Sequence, residues 1–205
     1  MDSRLNIALV GYGKFGRKYY SNIKSLNSFN LKVIFKKKIR KKFLSKNIKL
    51  DLFNIKNLKK YNIDCAIIAT SINSHYKIAK VFLKRKIPII IEKPVTSKVK
   101  EIKDLIKISK KNKVTVLVNH SDLYNNDFEE ILKHKKKIGK INFLEAKYGK
   151  YQDYYKGKNF LPFFDWFSHP LAVISKFVSL NVNPRIVYNK IIKKNGKVFQ
   201  NIKCN

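Results

Sequence analysis

The segment Gly11-Tyr12-Gly13-Lys14-Phe15-Gly16 follows directly on the apolar run Leu5 to Val10 and leads into an amphipathic stretch, so the chain must turn sharply from a buried strand into a helix. In that setting the first glycine makes the tight turn, the second lets backbone approach a pyrophosphate, and the third lets helix pack on strand. Three of the chain's seven glycines lie here. The helix that follows adds unpaired N–H groups and the positive end of its dipole. These features predict a dinucleotide site formed by Gly11, Tyr12, Gly13, Lys14, Phe15 and Gly16. The competing reading is an ordinary turn between strand and helix.

Apolar runs and helical stripes alternate through the first 120 residues, as expected for a parallel sheet covered on both faces. Strands are predicted at 5–10, 31–35, 65–69, 88–91 and 114–119, with helices over 14–25, 74–84 and 97–111. Right-handed crossovers then give an α/β, doubly wound parallel sheet of Rossmann type over residues 1–120. After Asn119 the pattern changes. A helix over 127–137 closes at Ile138-Gly139, alternation over 142–148 suits a strand with one face less deeply buried, a helix is predicted over 167–177, and Asn195-Gly196 marks a hairpin. Residues 121–205 therefore read as the start of a second, α+β domain with antiparallel strands.

Forty-six Lys and Arg against 13 Asp and Glu leave a formal net charge of +33, which would ordinarily point to nucleic acid or an anionic membrane. Yet the lysines are spread along nearly every segment. The densest block, Lys36-Lys37-Lys38-Ile39-Arg40-Lys41-Lys42, has no interleaved aromatics of the kind that stack on single strands. A solvated surface is expected, without a specific nucleic-acid partner. No stretch approaches the length of a membrane span and the N-terminal apolar run is too short for a signal peptide, so a cytoplasmic protein is expected. Cys65 and Cys204 form neither a metal cluster nor a disulfide framework, and no metal is expected.

Strand 88–91 ends at Glu92-Lys93-Pro94, on the carboxyl edge where open α/β sheets bind ligands. A lysine there can face a nicotinamide. Further on, Asp165 and His169 stand four residues apart, on one side of a helical N-terminus. Lysine, aspartate and histidine make a proton-transfer set, suited to removing the hydroxyl proton of an alcohol as a hydride leaves its carbon. The bland alternatives are a solvated lysine at a strand exit and a helix cap beside a half-buried ring. At the end of the second strand an NAD site usually offers Asp or Glu to the ribose, about twenty residues after the glycines. Here Lys36 and Lys37 stand instead, which favours the 2′-phosphate of NADP over NAD.

The order and spacing of four segments carry a family resemblance. They are Gly11/Gly13/Gly16, the stretch Ala69-Thr70-Ser71-Ile72-Asn73-Ser74-His75, Glu92-Lys93-Pro94, and the Asp165/His169 pair. In these the chain resembles the Gfo/Idh/MocA oxidoreductases, named for glucose-fructose oxidoreductase and inositol dehydrogenase. Ile138-Gly139-Lys140-Ile141 also matches the family's entry into its second domain. The resemblance implies an NAD(P)-dependent oxidoreductase acting on a hydroxyl or keto group of a sugar, sugar nucleotide or cyclitol. It implies Lys93 as catalytic acid/base and cofactor neighbour, a cis Lys93-Pro94 bond, and Asp165 and His169 as groups that orient substrate and share the proton. Thr70, Asn73 and Glu92 fall to the cofactor side, and His75 is structural or a ribose neighbour rather than catalytic. His120 and His134 are expected at the surface.

Two departures loosen the substrate class. The acidic residue frequent three positions after the histidine is Ala172 here, and the polar group often found after the fifth strand lies within Asn119-His120-Ser121-Asp122. Members also continue through most of an antiparallel sheet that backs the active site and often forms the oligomer interface. The chain therefore reads as C-terminally truncated, with homo-oligomerisation expected of a full-length parent. Two other readings stay open: a cofactor-binding but inactive remnant, and a basic nucleic-acid-binding protein.

Overall fold

The computed structural model describes residues 4–36, 48–52, 54, 58–145, 166–179, 186–194 and 197–204. Contacts divide the chain into two compact units, Met1–Asn119 and His120–Asn205.

The first unit is a six-stranded parallel sheet of β1 (Leu5–Val10), β2 (Phe29–Lys36), β3 (Lys49–Leu52), β4 (Cys65–Ile68), β5 (Ile89–Glu92) and β6 (Val116–Asn119), in the order β3-β2-β1-β4-β5-β6. The α/β class and parallel sheet expected from the sequence are what is found. Strand order reverses between β1 and β4, which opens a crevice at the carboxyl ends of the strands beside the glycine turn. Among the described residues the helices of this unit include α1 (Lys14–Ser25), α2 (Ile72–Lys84) and α3 (Val99–Asn112).

Alternate strand residues point to opposite faces. Ala8, Val10, Val33, Phe35, Ala66, Ile68, Ile89 and Ile91 bury one face against Ile78, Ala79, Phe82 and Leu83 of α2 and Leu105 of α3. Ile7, Leu9, Leu31, Ile34 and Ile67 bury the other with Ile23, and Tyr19 and Tyr20 pack beside them, all three on α1. A register shift between Ile7 and Ala8 passes over Lys32, which is why Leu31 and Ile34 share a face while Val33 and Phe35 take the opposite one.

Strand β3 has no counterpart among the sequence expectations. Four residues long and bonded only to β2, its Lys-Leu-Asp-Leu alternation is too short to rise above its lysine-rich surroundings.

The second unit begins with a 3₁₀ turn over Ser121–Tyr124, followed by α4 (Asn126–Lys133), α5 (Lys135–Ile138) and α6 (Ser168–Ile174). The single helix expected over 127–137 is divided at His134, whose backbone leaves the helical region at φ −94°, ψ 4°. Of the strand expected over 142–148, residues 142–145 form no strand and Phe143 is 83% exposed, while 146–148 lie outside the described residues. The helix expected over 167–177 shortens to α6, with turns over 175–177. Strands β7 (Ile186–Lys194) and β8 (Lys197–Cys204) pair antiparallel. Lys194 pairs with Lys197, and the hairpin dipeptide Asn195-Gly196 expected from the sequence lies outside the described residues. Among the described residues no helix is long and apolar enough to cross a membrane, and no three His, Cys, Asp or Glu side chains gather as metal ligands.

Candidate active site

The fold constrains two of the turn's three glycines and leaves the third free. Gly11 adopts φ +98°, and a Cβ there would stand 2.5 Å from the Ala69 carbonyl oxygen and 2.9 Å from Thr70 Cγ2. A side chain is excluded twice, by conformation and by space. At Gly16 a Cβ would run into the Gly11 carbonyl oxygen, so helix α1 can close on the turn only with glycine at this position. Gly13 is different. A Cβ there meets nothing within 4 Å, so the protein itself places no demand for glycine and the space beyond it is open.

That open space lies at the N-cap of α1, which has no side-chain cap and no acidic residue in its first turn. Unpaired N–H groups at a positive helix end, with no protein atom in front of Gly13, fit a dinucleotide pyrophosphate. Lys14 and Phe15 are exposed beside it.

The rest of the crevice is tied to this turn. Gly11 N donates to Phe35 O at 2.9 Å, holding the end of β2 alongside. Lys36, the last residue of β2, places its Nζ 5.3 Å from the centre of the Tyr12 ring, and Tyr12 in turn packs edge-on against Tyr20 at 5.6 Å. Lys37 lies outside the described residues.

From β4 the chain passes through Ala69 and Thr70 into α2. Ser74 Oγ donates to Thr70 Oγ1 at 2.9 Å, and Asn73 is exposed in the helix's first turn. His75 is 2% exposed, with Nε2 3.0 Å from Thr70 O and Nδ1 3.1 Å from Pro94 O. Burial holds its pKa below that of a free imidazole, against the opposing pull of the Pro94, Thr70 and Val95 backbone and the Glu92 charge. Its two ring nitrogens are thus directed at backbone of the loops after β4 and β5.

Glu92 closes β5 and is 6% exposed. Its Oε1 accepts from Tyr19 Oη and from Asn119 Nδ2, each at 2.8 Å. Lys93 follows, partly exposed, and the Lys93-Pro94 bond is cis, as the resemblance implied. The glycine turn, Lys36, Thr70, Glu92 and Lys93 therefore share the carboxyl edge of one sheet.

In the second unit, His169 lies in α6 with its side chain 12% exposed. Its Nδ1 stands 3.0 Å from Asp122 Oδ2 in the 3₁₀ turn, and its ring is tilted 32° to that of Trp166 at 5.7 Å. Asp122 thus places a carboxylate beside the imidazole. The sequence held this residue in view only as part of a departure, and no local spacing linked it to His169. Asp165 lies outside the described residues. His134 is exposed, as expected, but His120 is only partly so and its Nδ1 is shielded from solvent.

Residues 5–120 match the model of an oxidoreductase family described by its NAD-binding Rossmann fold, Gfo/Idh/MocA. A search of curated proteins finds no match for this sequence. Among solved structures, scyllo-inositol dehydrogenase from Lactobacillus casei is similar at 14% identity and a TM-score of 0.69, over 93% of this chain and 58% of that one. Myo-inositol 2-dehydrogenase from Lactobacillus plantarum is similar at 16% identity and 0.58, over 67% and 43%. A protein described as an oxidoreductase from Magnetospirillum magnetotacticum MS-1 reaches 20% identity and 0.74, over 96% and 64%. The chain thus spans 43 to 64% of the length of these structures, whose likeness is one of fold. With more than half of its length matched by the family model, from the strand before the glycine turn to the residue after β6, this chain belongs to the Gfo/Idh/MocA oxidoreductases.

Proposed function

We propose that the chain binds NADP(H) and serves hydride transfer between that cofactor and a hydroxyl or keto group of a sugar, sugar nucleotide or cyclitol. The observation that carries this reading is the open approach to Gly13 on the same sheet edge as Lys93, flanked by two glycines that the fold does require. The nicotinamide, when bound, supplies the hydride acceptor or donor. Everything else falls to this chain's residues.

Gly11, Tyr12, Gly13 and the first turn of α1, with Lys14 and Phe15, hold the pyrophosphate. Lys36, steadied over the Tyr12 ring at the end of β2, offers a cation to a ribose 2′-phosphate, and Lys37 adds a second. Thr70 and Asn73 border the cofactor on the β4 side, while His75 supports that border from within. Lys93 takes the hydroxyl proton as the substrate is oxidised and returns it on reduction. Asp165 and His169 contact the substrate, with Asp122 orienting the imidazole.

Fluorescence titration with NADPH and NADH in about 150 mM salt, where surface charge is screened over roughly 8 Å, tests the cofactor assignment. Saturable NADPH binding tighter than NADH binding is expected. Equal affinities would remove the NADP preference. Binding to any polyanion with a steep salt slope, and no saturable dinucleotide signal, would favour the nucleic-acid reading instead. Turnover is then sought with NADP and cyclitols or sugars by absorbance at the reduced nicotinamide band. Tight cofactor binding without turnover on such alcohols would favour the inactive remnant.

A further inference from the structure

Tyr19 lies on α1, one turn beyond Gly16, and its hydroxyl crosses to the far end of β5 to donate to Glu92 Oε1 at 2.8 Å. Asn119, in register with Glu92 on the neighbouring strand, donates to the same oxygen at the same distance. An amide N–H₂ can only donate, so Oε1 accepts twice and the carboxylate is gripped from two sides. Burial first, and then the charge and hydrogen bond of Glu92, push the Tyr19 phenol far above its ordinary range, which keeps it a donor throughout neutral pH.

Lys93 therefore leaves the sheet between two anchored neighbours: Glu92, held by Tyr19 and Asn119, and Pro94, whose carbonyl faces His75 Nδ1. Of these anchors Tyr19 is the one that comes from the helix carrying the glycine turn. We infer that Tyr19 is a positioning residue for Lys93, acting through Glu92 to keep the lysine in register with the cofactor-binding turn. The inference rests on the reading of Lys93 as cofactor neighbour and proton carrier. A hydrogen bond to a charged acceptor is short and directional, so it sets the strand end's angle as well as its place.

The test needs no substrate. Trace labelling with acetic anhydride, read by peptide mass spectrometry, measures the reactivity of Lys93 against exposed Lys100 with and without saturating NADPH. In the unaltered chain NADPH protects Lys93. In Tyr19→Phe, NADPH affinity measured by fluorescence stays within about twofold, while protection of Lys93 drops at least about threefold. Glu92→Ala gives the same loss, the double variant loses no more, and Glu92→Gln, which keeps an acceptor oxygen, retains most of the protection. Unchanged protection in Tyr19→Phe overturns the inference and leaves the Lys93 reading standing. A more than tenfold weaker NADPH affinity in Tyr19→Phe also overturns it, since the tie would then serve folding or cofactor binding rather than the lysine. Absence of NADPH protection in the unaltered chain overturns the Lys93 reading itself.

Discussion

His75 Nδ1 faces the Pro94 carbonyl across 3.1 Å, so one buried ring of α2 braces the loop that carries Lys93. Both of its ring nitrogens face carbonyl oxygens, and a neutral imidazole has a single N–H to give. Burial nevertheless dominates and lowers the ring's pKa. Between the folded value and the unfolded value of about 6.5, the unfolded chain binds a proton that the folded chain does not. The stability that His75 contributes is therefore full above about pH 6.5 and declines as pH falls below it. Urea unfolding at pH 8 and pH 5.5 should show the unaltered chain losing more stability on acidification than His75→Gln. Equal losses would take His75 out of the acid response.

The three glycines should separate on substitution. Gly11→Ala and Gly16→Ala force a Cβ into backbone and should each cost about 2 kcal/mol or more of stability. Gly13→Val meets no protein atom at Cβ, so its unfolding free energy should stay within about 1 kcal/mol of the unaltered chain while NADPH binding is lost. Fluorescence titration beside urea unfolding reads both properties. A Gly13→Val chain that binds NADPH normally would undo the pyrophosphate assignment.

Lys93→Met keeps length and apolar volume but removes the proton carrier proposed above. With a substrate that supports turnover, kcat should fall about 10²-fold or more, with NADPH affinity unchanged within a few-fold. His169→Ala and Asp122→Asn should lower kcat less, since the proposal gives each only an assisting part in the proton transfer. Steady-state kinetics on the three variants orders them, and an unchanged kcat in Lys93→Met would exclude the lysine from the chemistry.

Helices α2 and α3 both end on lysines in the left-handed region, Lys86 at φ 59° and Lys113 at φ 53°. In each the amide of the lysine bonds back three residues and that of the next residue bonds back five: Lys86 to Leu83 and Ile87 to Phe82, Lys113 to Lys110 and Val114 to Ser109. This is a helix-ending motif that favours glycine. Lys86→Gly and Lys113→Gly should each stabilise the first unit by about 1 kcal/mol, read as a higher urea midpoint. A lower midpoint in either would mean that the lysine side chain contributes more than its backbone strain removes.

The bounds of β1 and α1 coincide with those read from the sequence, because an apolar run, a glycine turn and an amphipathic stretch are local signals with one geometric solution. Lys93 was legible in the same way, as the residue that leaves a buried strand at its carboxyl end. Strand β3 was not, since a four-residue edge strand owes its existence to β2 beside it. Nor was the break at His134, where the hydrophobic stripe runs on although the backbone leaves the helix.

The residues of the candidate site in each unit divide along the same line. Sequence by itself determined the turn, the parallel sheet with Lys36 and Lys93 at its strand ends, and the placing of His169 in a helix of the second unit, because period and spacing are properties of neighbours in the chain. Only the tertiary structure decided that Tyr19 and Asn119 grip Glu92, at separations of 73 and 27 residues, and that Asp122 reaches His169. The Tyr19 and Asn119 contacts depend on strand order and on which helix covers which face, and the Asp122–His169 contact on a turn and a helix of the second unit coming together, so none of them is written in local spacing.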